Sequence, residues 1–180
     1  GPGRIIQTNF RDVYVPRESF THDSLFFGVM KYTDEDPYSE EVIPLLEGLG
    51  FQLVELSSAN RKGTLHVHLT MYSPDGVGLD DCAEVYRALM PRLEVLSDNR
   101  DIHLEVSSPG LSRSIKSGHE FGLFEGKGVK VLTADTDEWV GGVIATSDEE
   151  SVTIRTKAGD RTFVYGTIKK AKLDESQEEE

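Results

Sequence analysis

The sequence predicts an α+β protein in two parts. The first is an N-terminal two-layer α/β domain with element order α-β-β-α-β. The second is a small five-stranded β-barrel of SH3-like or Sm-like type. Three observations predict this. Apolar residues recur at spacings of three and four in two stretches, Ser39–Leu49 and Asp80–Leu96. Two-residue alternation marks three strands around those helices and five short ones after Gly128. Between the two patterns lies Leu104-Glu105-Val106-Ser107-Ser108-Pro109-Gly110-Leu111-Ser112-Arg113, a strand that breaks into a stiff corner. Proline fixes one backbone angle there and glycine permits a positive one. Ser107, Ser108, Pro109, Gly110 and Arg113 thus read as an interdomain hinge.

The chain opens on Gly1-Pro2-Gly3, which reads as a protease-cleavage scar, and residues 4–29 hold no sustained period. Met30 has the look of a natural start. Residues 1–37 are expected to be this scar and a mobile N-terminal extension.

Ser39 to Leu49 is expected as the first helix. Ser39 caps it, Glu40 and Glu41 suit its positive end, and Val42, Ile43, Leu45, Leu46 and Leu49 form one stripe. Pro44 falls early enough to be tolerated, and Gly50 stops the helix. Phe51–Ser57 is a strand, followed by a polar turn at Asn60 and Gly63. Thr64–Tyr72 alternates most cleanly: Leu65, Val67, Leu69 and Met71 face one way, and His66, His68, Thr70 and Tyr72 the other, toward solvent or a partner. After the turn Pro74-Asp75-Gly76, Asp80 or Asp81 opens a second helix. Its stripe is Cys82, Val85, Tyr86, Leu89, Met90, Leu93 and Leu96, and Pro91 should kink or split it. Ile102, Leu104 and Val106 supply the third strand, so the α/β domain spans residues 38–113.

The barrel is expected over residues 114–173. A helical turn near Ser117–Phe124 precedes strands at Gly128–Leu132, Trp139–Thr146, Ser151–Thr156, Thr162–Tyr165 and Ile168–Leu173. Gly141-Gly142 marks a sharp strand bend. Residues 174–180 read as a disordered acidic tail.

Composition narrows the function. The net charge is −13, of which −8 falls in residues 30–113 and −5 in residues 173–180, while residues 114–172 balance nine basic against nine acidic groups. Such a field repels phosphate backbones and draws basic partners. No apolar run approaches the roughly 18 residues that span a bilayer, and Cys82 stands alone, so no intramolecular disulfide forms. A cytoplasmic protein without membrane contact is expected.

Catalytic motifs are missing: there is no nucleophile elbow, phosphate-binding glycine loop, zinc-protease motif or dinucleotide fingerprint. Ser107 and Ser108 sit at a strand end as a nucleophile could, yet only His103 and His119 lie nearby, so the hydroxyls read as turn residues and no enzyme is expected. His66, His68 and His103 could share a sheet face and ligate zinc, but polar positions on a half-buried sheet explain them as well, and neither metal nor cofactor is required. Candidate partner-binding residues are Lys127, Lys130, Trp139, Arg155, Lys169 and Lys170. A general RNA-binding Sm-like module is the alternative they leave open.

Leu79-Asp80-Asp81-Cys82-Ala83-Glu84-Val85 and the corner Leu104–Leu111 with Arg113 resemble the signature stretches of the bacterial ribosome maturation factor family RimP. Gly126 with Val129 and Val131, and Ile168-Lys169-Lys170-Ala171-Lys172-Leu173, resemble that family's barrel opening and last strand. The resemblance runs over residues 38–173. It implies a non-catalytic assembly factor for the small (30S) ribosomal subunit, and nothing in the sequence demands more than a monomer. The partners it implies are the free small subunit, a basic small-subunit ribosomal protein near the decoding centre, and 16S rRNA. Ser112, Ser114 and His103 depart from the family pattern.

Overall fold

The structure, a computed structural model, describes residues 30–33 and 35–178. The chain forms two compact units whose boundary falls between Gly110 and Leu111, with Met30–Thr33 belonging to the second. The expected leader at residues 4–29 lies outside the described residues.

In the first unit, α1 (Ser39–Gly48) leads through Gly50, at φ 91°, into a hairpin of β1 (Gln52–Arg61) and β2 (Thr64–Tyr72). The turn is Lys62-Gly63, both at positive φ (50° and 86°), the geometry that matches the twist of a two-residue hairpin. β1 runs four residues past its expected end because Ser58–Arg61 keep pairing across from Thr64–Val67. Ser39 does not cap α1. Its Oγ accepts the Asp36 N–H (3.2 Å), while Asp36 accepts the Tyr38 N–H (2.9 Å) and the Ser58 hydroxyl (2.7 Å), tying the helix start to β1.

The second helix, α2, covers Leu79–Ser97 without a break at Pro91. A missing N–H costs one helical bond, and fully buried Val85, Leu89 and Leu93 hold both halves on one packing surface. Leu96, expected in that stripe, is 43% exposed. Asp81 Oδ2 accepts the Gly78 N–H (2.8 Å) and closes the N-terminus. α2 crosses over to β3 (Ile102–Ser107), which joins β2 in parallel, giving the order β1-β2-β3. A parallel neighbour requires such a crossover, whereas the hairpin does not. Leu65, Val67, Leu69 and Met71 and the β3 residues Ile102, Leu104 and Val106 form one core with the helical stripes.

The second unit holds α3 (His119–Leu123) and an antiparallel sheet of β4 (Gly128–Thr133), β5 (Trp139–Ser147), β6 (Ser151–Thr156), β7 (Gly159–Val164) and β8 (Ile168–Leu173), ordered β7-β6-β5-β4-β8. β7 starts three residues before the expected Thr162, since Gly159–Arg161 pair with Ile154–Thr156. The barrel expected from the sequence is not closed: no pairing joins β7 to β8 among the described residues. The free side of β8 is instead met by the incoming chain. Ile115 N–H donates to Ala171 O (2.8 Å) and Leu173 N–H to Arg113 O (2.9 Å). Gly142 is required where β5 meets β6, because a Cβ there would strike the Arg155 carbonyl. Residues 174–178, expected to be disordered, include a 3-10 turn at Glu175–Glu178.

Candidate functional site

At the corner, Ser107 is placed as a structural hydroxyl. Ser107 is buried; its Oγ lies 3.4 Å from Thr70 Oγ1 and donates to Leu69 O at 3.5 Å, satisfying backbone as a turn hydroxyl does. Among the described residues the glycines at positive φ are Gly50, Gly63, Gly76, Gly126 and Gly159, and Gly110 is not one of them.

The polar face of the β2–β3 pair is not the solvated surface that alternation suggests. His66 lies beside His103, His68 beside Glu105, and Thr70 beside Ser107. His68 is 5% and Thr70 1% exposed. Glu105 bridges two imidazoles: Oε2 lies 3.1 Å from His68 Nδ1, and Oε1 lies 3.0 Å from His103 Nε2. Burial holds the His68 pKa below its usual value despite the neighbouring carboxylate; burial, then the His103 charge, does the same at His66. The His66 and His103 rings lie tilted to one another, 5.4 Å apart at their centres. Among the described residues no group of three His, Cys, Asp or Glu side chains could hold a metal ion. Cys82 is fully buried and its thiol pKa is pushed up to about 11 by burial, then by Asp81, which suits a core residue.

The partner-binding candidates separate in the second unit. Lys130, Trp139 and Lys170 come together on the outward face of β8, β4 and β5, with Leu132 opposite both Trp139 and Lys170. Lys172, opposite Lys130, joins them. Lys130 Nζ stands 5.2 Å from the centre of the Trp139 ring, which is 42% exposed. Arg155 lies farther along, opposite Val143, with Asp160 at 3.8 Å. Lys127 precedes β4, and Lys169 is exposed at the start of β8.

Arg113, read as the last hinge residue, is a buried anchor. Its Nε donates to Glu120 Oε1, while Glu120 Oε2 accepts the N–H groups of Lys116 (3.0 Å) and Ser117 (3.2 Å). Sequence reasoning missed Glu120. The available signal was an acid at the start of a short helix, three residues after a serine.

The family model for the RimP N-terminal domain matches residues 41–112. A protein of Borrelia hermsii named ribosome maturation factor RimP is 31% identical over 147 residues, 81% of this chain and 99% of the relative. Proteins of the same name from Borrelia recurrentis and Borrelia turicatae are 28% and 26% identical, each over 81% of this chain and 99% of their own length.

Proposed function

The chain belongs to the ribosome maturation factor RimP family, and from that membership we propose that it is a non-catalytic chaperone in assembly of the small (30S) ribosomal subunit. Its correspondence to relatives of that name over nearly their whole length carries the reading. Two properties of the chain support it. A net charge of −13 suits capture of a basic ribosomal protein that otherwise competes for RNA phosphate. The pairing of the first and last strands of the second unit, β4 with β8, supports an SH3-like or Sm-like fold there.

In this reading the factor is a cytoplasmic monomer. It docks on the free small subunit, shields a basic protein near the decoding centre, orders nearby 16S rRNA, and leaves. Lys130, Trp139 and Lys170 form the centre of its contact surface, and Pro109 sets the passage from the first unit to the second. Sedimentation of the full chain with ribosomal particles tests the proposal. Migration with free small subunits, and not with intact ribosomes, is expected. Migration with neither would overturn it.

A further inference from the structure

Register fixes two rows on the outward face of β8, β4 and β5. One is Lys170, Leu132 and Trp139; the other is Lys172, Lys130 and Gly141. The alternate residues Val129, Val131 and Ala171 are buried, so these rows point away from the core. Three lysines therefore share one face with a half-exposed indole, and Lys130 stands over its ring. The C-terminal turn lies against the same strands. Asp174 N–H donates to Gly128 O (2.8 Å), and the chain passes over bare backbone. A Cβ at Gly128 would strike the Asp174 carbonyl, and one at Gly141 would come within 2.5 Å of the Gln177 amide. The Asp174 carboxylate is fixed by the Ser176 hydroxyl (2.6 Å) and Gln177 Nε2 (3.2 Å). These bonds, and then the Lys130 charge, hold its pKa low. Asp174, Glu175 and Glu178 thus bring acids to the edge of a lysine-rich face.

We propose that this face binds single-stranded RNA, and that the acidic C-terminal turn is its built-in competitor. The inference rests on the ribosomal role and adds a site and its regulation. In a single strand, phosphates alternate with flat rings, and the face offers ammonium groups beside an indole and Leu132. Stacking on an aromatic residue and ion pairing with lysines together hold unpaired strands without reading sequence. An acidic partner protein has no comparable use for the exposed ring. The turn accounts for an RNA face in so acidic a chain: Asp174, whose carboxylate feels the Lys130 charge, and its neighbours Glu175 and Glu178 compete with a phosphate strand for the lysines.

The test measures fluorescence anisotropy of a labelled, unstructured RNA oligonucleotide at low salt. Three proteins are compared: the full chain, a chain ending at Leu173, and the full-length double variant Glu175→Gln/Glu178→Gln. The double variant keeps the glycine-seated turn and loses only charge. Both altered chains should bind at least about fivefold more tightly than the full chain, with the gain shrinking as salt rises. Adding Trp139→Ala to the double variant should weaken binding roughly tenfold. Equal affinity for the full chain and the double variant would overturn the proposal. So would binding of a polyglutamate peptide as strong as that of RNA. Comigration of the full chain with small subunits, without RNA binding by the double variant, would refute this surface and leave the ribosomal role standing. RNA binding as expected without comigration would refute the role and leave the surface.

Discussion

Arg113 Nε and Glu120 Oε1 meet at 2.7 Å with side chains only 5% and 1% exposed, which makes this pair the sealed ionic joint of the second unit. Removing one partner strands the other charge away from water, and such losses run about 3–5 kcal/mol. Glu120→Ala also frees the amides of Lys116 and Ser117. It should destabilise the second unit by about 3 kcal/mol or more in urea titration. The apolar double variant Arg113→Met/Glu120→Leu should recover much of that loss, because it leaves no orphan charge. A double variant as unstable as the single one would show that shape, not charge, governs this joint.

Much of this arrangement is legible in the sequence where one physical signal dominates. Thr64–Tyr72 alternates without interruption, and Ser151–Thr156 and Ile168–Leu173 have the bounds their pattern predicts. Legibility fails where tertiary contact overrides pattern. Alternation assigns His68 to an outer face, yet it cannot reveal that Glu105 on a parallel neighbour will pair with it across the sheet. Pro91 carries a local signal for a break, and the packing of Val85, Leu89 and Leu93 outweighs it. The open order of the second sheet was equally hidden, because strand count does not reveal whether edge strands meet. Of the site, the lysines and Trp139 could be named from composition, but only the register places Lys130 over the indole.

Acid should weaken the first unit through its histidines. Burial holds the folded pKa of His68 below 6.5, and burial with the His103 charge lowers that of His66. The unfolded chain therefore takes up protons first as pH falls. Stability is present above pH 6.5 and is lost as pH falls through the lower folded values. Denaturation midpoints should drop between pH about 7.5 and about 5. His68→Gln should flatten that profile, while an equally steep profile would place the titrating group elsewhere.

Pro109→Gly separates a mechanical role from a structural one. Proline stiffens the chain between Ser107, whose hydroxyl is bound to Leu69 O, and Arg113, which is locked to Glu120. Glycine there loosens the passage while leaving both anchors, so stability should change by no more than about 1 kcal/mol. Small-subunit assembly, followed by ribosomal-particle profiles of cells carrying the variant, should be impaired. A normal profile would reduce this corner to a connector.

The stretch before the first helix should prove part of the second unit's stability. Met30 N–H donates to Ile168 O (3.1 Å), Lys31 O accepts from Gly118 N–H (2.7 Å), and Tyr32 O accepts from His119 N–H (2.9 Å). The Tyr32 ring stacks on Tyr165 at 6.0 Å, and Tyr165 stacks in turn on Phe121 at 5.9 Å. Gly118 has no room for a side chain, since a Cβ there would lie 2.6 Å from the Tyr165 ring. Deleting residues 1–33 removes at least these three backbone bonds, each worth about 1 kcal/mol net, along with the Tyr32 ring. The Gly118 and His119 amides should then exchange with solvent at least tenfold faster, a drop of about 1.4 kcal/mol in the free energy of opening. The Ile115 amide, bonded to Ala171 O at 2.8 Å, reports on the sheet itself and should slow exchange as before. Unchanged exchange at Gly118 and His119 would mean that Met30–Tyr32 rests on the second unit without supporting it.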